Sequence, residues 1–213
     1  MDWTPSIIPV AVHYGAHLAD PAPFYTTFSG RGSGSPVQFH ALIESDGPEP
    51  EARCQAALAS LRRRLTNLGA MSLTTTINGA FQACHQELSA AGGEGVGVTL
   101  LATRGEEAFL TAVADISVFQ LDRAGVRRVR LSVPGTMTAA LGNLPQVTPA
   151  MERLDLQPGE TVLICGSDIS AAANLDGLQA VLSSSPRAAA DSLASLMSNS
   201  ALFLGLILVS SSE

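Results

Sequence analysis

The sequence contains no lysine: all twelve basic residues are arginine. That absence excludes lysine-based chemistry, such as Schiff-base formation, and the bias fits a GC-rich bacterial coding sequence. Cysteine is scarce too. Cys54, Cys84 and Cys165 are odd in number, widely spaced and without C-x-x-C spacing, which excludes a disulfide framework and a thiolate zinc site. Each lies in an apolar stretch where cysteine behaves as a small core residue, and a reducing, cytoplasmic compartment follows. Charged residues make up only 15% of the chain and apolar ones 46%, which excludes disorder. The formal net charge of -7 opposes a nucleic-acid or anionic-membrane partner. Long hydrophobic runs are missing: Ala201 to Val209 is about half of what a membrane span requires, so it reads as a buried strand. Met1-Asp2-Trp3-Thr4-Pro5 lacks the basic and apolar regions of a signal peptide. A soluble single domain spanning 1–213 is expected.

What is present reads as strands in runs and helices in pairs. Ser6 to His13 and Phe24 to Phe28 have strand character, with a turn at Asp20-Pro21 between them. Ser29 to Pro36 has the composition of a flexible hairpin loop, and Val37 to Ile43 alternates as a strand before the turn Asp46-Gly47-Pro48. Leu58, Leu61, Leu65 and Leu68 recur at helical spacing after Glu49. A second helix is expected from about Ser72 to Ala90, with Ile77, Phe81, Cys84 and Leu88 on one face and Gly92-Gly93 closing it. Four strands follow: Val96 to Thr103, Ala108 to Ala114, Ser117 to Asp122 and Val126 to Leu131. Beyond a Pro- and Gly-rich irregular stretch come a strand at Thr161 to Cys165, helical segments over about Ser170 to Ser183 and Pro186 to Ser198, and a last strand at Ala201 to Val209. This order argues for packed sheets flanked by helices rather than a doubly wound parallel sheet.

Five segments, in collinear order, carry a family likeness. Gly95-Val96-Gly97-Val98-Thr99-Leu100 and the following Ala108 to Ser117 resemble the "GxGTT" strand and "ANVGDSRA" hairpin of the type 2C, metal-dependent Ser/Thr protein phosphatases. Thr138-Ala139-Ala140-Leu141-Gly142 resembles their "TRALG" turn, and Leu156 to Asp168 their "LxPGDxLLLCSDG". Ile43-Glu44-Ser45-Asp46-Gly47 stands where they have "VADG", and the terminal apolar strand where they have "DNITVVVV". The resemblance implies an α+β fold, a four-layer α-β-β-α sandwich of two antiparallel sheets flanked by helix pairs. The insertion before the "TRALG"-like turn is very short, so a flap subdomain is expected to be missing.

Such phosphatases hold two hard cations, Mg²⁺ or Mn²⁺, on carboxylates and water, which activate water and clamp the phosphate. Carried over by position, the resemblance implies that Asp46 bridges the metals, that Gly47 offers its carbonyl and that Asp168 binds the second metal. Asp20 and Asn199 are weaker candidate ligands. The same alignment exposes departures. Asp-Gly-x-Gly-Gly is Asp46-Gly47-Pro48-Glu49-Pro50, the "SDG" glycine is Ile169, and the acid before the last strand is replaced by Ser200-Ala201. Leu18 occupies roughly the place of the phosphate-contacting arginine. Metal binding is therefore expected to be weak or absent.

The remaining signals are bland. His13, His17, His40 and His85 have no metal-ligand spacing, and Gly92 to Gly97 precedes a strand rather than the helix a phosphate loop requires. Arg62 to Arg64 and Arg127, Arg128 and Arg130 form local basic patches, by default solvated faces. Three functions stay open: a pseudophosphatase acting as a regulatory or binding module, an active Mg²⁺- or Mn²⁺-dependent phosphatase with an atypical site, and a structural subunit of an assembly. The first takes a protein partner, such as a Ser/Thr kinase or phosphoprotein.

Overall fold

In the computed structural model the described residues are 5–22, 24–32, 35–45, 49–105, 107–113, 115–129, 140–143, 145–166 and 169–210. In chain order the strands and helices are β1 (Ser6–His13), β2 (Ala16–His17), β3 (Tyr25–Gly30), β4 (Val37–Glu44), α1 (Pro50–Leu65), α2 (Leu73–Ala91), β5 (Gly97–Arg104), β6 (Glu107–Val113), β7 (Ile116–Asp122), β8 (Gly125–Val129), β9 (Ala150–Leu154), β10 (Thr161–Gly166), α3 (Ile169–Ala172), α4 (Leu175–Leu182), α5 (Pro186–Leu196) and β11 (Leu202–Val209). They form two sheets of antiparallel strands, ordered β2-β1-β11-β10-β7-β8 and β3-β4-β5-β6-β9. Two antiparallel sheets with helices make this the expected α+β class. No helix among the described residues is long and apolar enough to cross a membrane.

The six-stranded sheet belongs to a unit assembled from three separate stretches of chain. Its centre is β11, whose apolar run is buried along nearly its whole length and pairs with β1 on one side and β10 on the other. Phe203 and Ile207 of β11, Val10 and Val12 of β1, and Leu163 and Cys165 of β10 form one core with Leu178 and Leu182 of α4 and Leu193 of α5. Gly205 leaves room for the Phe203 ring, which lies 3.3 Å from where a Cβ would be. The helices start where side chains take up orphan amides: the Gly177 N–H donates to Asn174 Oδ1 at 2.8 Å, and the Ala188 N–H to Ser185 Oγ at 3.4 Å. Asn174 thereby divides the expected helix over Ser170 to Ser183 into α3 and α4.

The second unit holds the five-stranded sheet with α1 and α2. Cys54, Ala57, Leu61 and Leu65 of α1 are fully buried, as are Ile77, Phe81 and Cys84 of α2, the spacing expected of core-facing stripes. The Cys54 thiol donates to the Ile43 carbonyl of β4, and that of Cys84 to the Ala57 carbonyl, so both behave as core groups. Burial pushes their pKa values up to about 12 and about 11, away from nucleophilic thiolate chemistry. Ser72 caps α2 through the Thr75 N–H at 3.2 Å, and Gly92, with φ 68, closes it.

Two sequence expectations change here. Gly30 belongs to β3 rather than to a flexible loop: a Cβ there would lie 2.3 Å from the Leu65 carbonyl oxygen and 2.8 Å from the Phe39 ring. β3 thus ends hard against the end of α1, and the chain continues with the Arg31 N–H on the Thr66 carbonyl at 2.9 Å. Likewise β6 and β7, read as a hairpin, do not pair; they enter different sheets.

Two predictions follow from this packing. Gly30→Ala should destabilise the protein by about 1–3 kcal/mol, because backbone rather than a flexible side chain blocks the methyl; a lowered urea midpoint measures it. The second concerns His40, whose Nδ1 lies 3.0 Å from the Tyr25 hydroxyl and whose pKa burial lowers from 6.5 to about 4. The unfolded chain takes up this proton near its ordinary value and the folded protein only near 4. Stability present above pH 6.5 is therefore lost as pH falls toward 4. Urea midpoints compared across this window should fall less steeply for His40→Gln than for the unaltered protein.

Candidate functional site

Three of the family-like segments converge at one end of the five-stranded sheet. β4 ends at Glu44, and the next residue, Ser45, is buried and donates its hydroxyl to the Gly95 carbonyl at 3.2 Å. Val96 and Leu141 exchange main-chain hydrogen bonds of 2.9 and 2.8 Å, which docks the turn containing Ala140 to Gly142 beside the entry to β5. The contact requires glycine at 95, because a Cβ there would sit 2.6 Å from both Ala140 Cβ and Asn143 Nδ2. Leu141 is fully buried.

Two α-helical side chains pin this junction, and neither was singled out from the sequence as doing so. His85 of α2, expected to be structural or solvent-facing, is buried, and its Nδ1 accepts the Gly142 N–H at 3.0 Å. An imidazole that accepts at Nδ1 carries its proton on Nε2. Arg53 of α1 donates to the Gly92 carbonyl at 2.7 Å and to the Glu94 carbonyl at 2.6 and 3.1 Å. The glycine-rich segment therefore turns carbonyl oxygens toward a guanidinium, the opposite of the amide cradle that a phosphate needs.

The candidate ligands Asp46 and Gly47 fall between Ser45 and Glu49, outside the described residues, as does Asp168. Their neighbours are visible. Glu49 precedes α1 without capping it by its side chain, Pro50 occupies the first turn, and Glu49, Pro50, Glu51, Ala52 and Gln55 line a surface concavity of about 420 Å³. Two carboxylates and a proline thus line this concavity.

In the other unit, β10 ends at Gly166 and α3 begins at Ile169, which is fully buried in the core with Leu178, Leu193 and Phe203. The expectation that Ile169 removes an open glycine gains a physical reason: the side chain is a core anchor. Asn199 is exposed in the turn after α5, and Asp20 is exposed in the bend after β2. Ser200 and Ala201 lead into β11, with the Ala201 carbonyl accepting the Tyr14 N–H at 2.8 Å. Tyr14 (φ 47) and Gly15 (φ 78) make the two-residue turn between β1 and β2. Gly15 lets this turn rest on the next one, since a Cβ would lie 2.5 Å from the Ser198 carbonyl oxygen.

Among the described residues no three His, Cys, Asp or Glu side chains are grouped to hold a metal ion. At the described positions an exposed amide, a serine and an alanine precede β11, none of them an anionic ligand for a hard cation.

No protein-family model and no curated protein matches the chain in sequence. Solved structures do match it in shape. The S. agalactiae serine/threonine phosphatase superposes with a TM-score of 0.76 at 13% identity, over 97% of this chain and 100% of that one. PppA of Pseudomonas aeruginosa, described as a key regulatory component of T6SS, gives 0.66 at 18% identity over 97% of both chains. The fold is that of the type 2C phosphatases. The catalytic domain of the serine/threonine phosphatase PstP, solved with two manganese ions, gives 0.65 at 14% identity over 96% of this chain and 100% of that one.

The burial of Ile169 sets a prediction for its stability role. Ile169→Gly should cost about 3–5 kcal/mol, combining a core cavity with the helix penalty of glycine. Equilibrium urea unfolding measures the loss; a change below about 1 kcal/mol, the scale of a surface substitution, would contradict it.

Proposed function

We propose that this chain is a type 2C phosphatase-like domain with an eroded metal site, acting as a regulatory or binding module in Ser/Thr phosphorylation signalling. The observation that carries this reading is the replacement of ligand-bearing turns by packing: Ile169 is buried in the core, and the entry to β11 offers Asn199-Ser200-Ala201 without a carboxylate. On this reading 1–213 is a single domain without a flap subdomain, working in the cytoplasm. Its partner is a protein, either a Ser/Thr kinase or a phosphoprotein, and Asp46, Gly47 and Asp168 retain at most weak affinity for Mg²⁺ or Mn²⁺. Asp20 and Asn199 would be minor contributors.

A second reading, an active phosphatase with an atypical site, is favoured by the likeness to the manganese-bound PstP domain. When bound, such cations supply an activated water and charge neutralisation for phosphate. Against turnover, Glu49 and Glu51, which line the same surface concavity, would repel an incoming phosphate anion.

Calorimetry with Mn²⁺, run beside hydrolysis of p-nitrophenyl phosphate and a phosphothreonine peptide, separates the two. The first reading expects no tight pair of Mn²⁺ sites and turnover at background. Ala201→Asp should strengthen Mn²⁺ binding more than it raises turnover. Robust hydrolysis by the unaltered protein, abolished by Asp46→Asn, would establish the second reading instead.

A further inference from the structure

β8 is the outer strand of its sheet. β7 pairs with it on one side, and among the described residues no strand pairs with it on the other. It is also unusually basic for a protein of net charge -7: Arg123 lies in the turn before it, Arg127 and Arg128 within it, and Arg130 next in sequence. Consecutive strand residues face opposite sides, so Arg127 and Arg128 stand on the two faces of the edge.

Both guanidinium groups are held in place from β7. Arg127 Nη2 donates to Gln120 Oε1 at 2.7 Å, and Arg128 Nη2 donates to Ser117 Oγ at 2.9 Å. Gln120 and Ser117 are buried. The Gln120 amide is itself fixed, because its Nε2 donates to Glu160 Oε2 at 2.7 Å and that oxygen also accepts the Gln157 N–H at 2.9 Å. Arg127 Nε lies 3.7 Å from the Asp122 carboxylate, yet its side chain remains 60% exposed. Among the described residues no carboxylate forms an ion pair with Arg123 or Arg128. A guanidinium has five N–H donors, so each arginine keeps several for a further acceptor.

Charges on a short edge strand also guard against unwanted pairing. A guard, however, needs only charge, whereas each of these two side chains also donates to a neutral, buried acceptor. The edge is selective as well. Pairing with β8 of a second copy would set arginines against arginines, which is unfavourable, whereas an acidic strand would be drawn to it.

We propose that the free edge of β8 receives an extended acidic segment of a partner protein as a further strand. Main-chain hydrogen bonds align the segment, and two adjacent acidic residues fall on opposite faces, one beside Arg127 and the other beside Arg128. Val126 shares the face of Arg128 and Val129 that of Arg127, so β-branched apolar residues suit the positions flanking the acidic pair. This binding is independent of metal and of any phosphatase activity.

Fluorescence anisotropy with two labelled peptides of equal composition tests the proposal: Thr-Val-Glu-Glu-Val-Thr, and Thr-Glu-Val-Glu-Val-Thr, which puts both acids on one face. The first should bind saturably and about tenfold more tightly, the scale of one charge-assisted hydrogen bond. N-methylation of alternate amides in one of the two possible registers should abolish its binding. Arg127→Ala and Arg128→Ala should each weaken it about tenfold, with circular dichroism confirming the fold. The peptide comparisons need no variant, so a misfolded mutant leaves the test intact. Absence of saturable binding, equal affinity for the two peptides, or tolerance of N-methylation in both registers would overturn the proposal. So would slow hydrogen exchange of every β8 amide in the free protein, which would mean that the edge is already covered.

Discussion

The pairing of β1 with β11 is the constraint on which the six-stranded sheet depends. Eight residues of each strand are in register, from Ser6 opposite Val209 to His13 opposite Leu202. This ladder ties together stretches at opposite ends of the sequence, and β10 and β7 extend it with the middle of the chain. Closing so long a loop carries an entropic cost that only burial of the β11 core can offset. The turns at Tyr14-Gly15 and Ser198 to Ala201 meet at one end of this ladder, so their conformations follow from it.

In the other unit the organising contacts are more local and more polar. The helix-borne Arg53 and His85 bind backbone groups of the segments that flank β5, and Gly95 permits the approach. The salt bridges from Arg63 and Arg64 to Glu87 join α1 and α2 at the surface but, being largely exposed, contribute little beside the buried stripes. The family-like motifs of this unit thus act here as packing motifs: "GxG" admits a neighbouring turn, and the Leu-Gly of the "TRALG"-like turn supplies a buried side chain and a hydrogen-bonded amide.

Elements with a strong apolar pattern were legible in the sequence. β1, β4, β5, β10, β11 and α2 fall within a residue or two of their expected limits, because burial of alternate or helically spaced residues dictates them, whereas α1 ends at Leu65, short of Leu68 in the expected helical pattern. β9 was not legible: among the described residues it pairs only with β6, and Met151, Glu152 and Arg153 give it no alternation a reader could separate from a loop. β2 escaped notice because tyrosine is an unusual residue for a turn that needs positive φ, and two residues carry no period. The departures from the family's sequence pattern could be read at Ile169 and Ser200-Ala201, but the reason for the first needed the core around it. The contacts of Arg53 with Glu94 and of His85 with Gly142 span 41 and 57 residues, and nothing local announces them.

Ile169 also bears on how such a domain can change over generations. Ligands on surface turns can be lost by single substitutions with little penalty in folding. Once a turn residue has become part of the core, as Ile169 has, the reverse substitution must first pass through a less stable protein. Selection for a folded, abundant protein would remove that intermediate. On the proposed reading, the packing at this one turn therefore acts as a ratchet against a return from binding to catalysis.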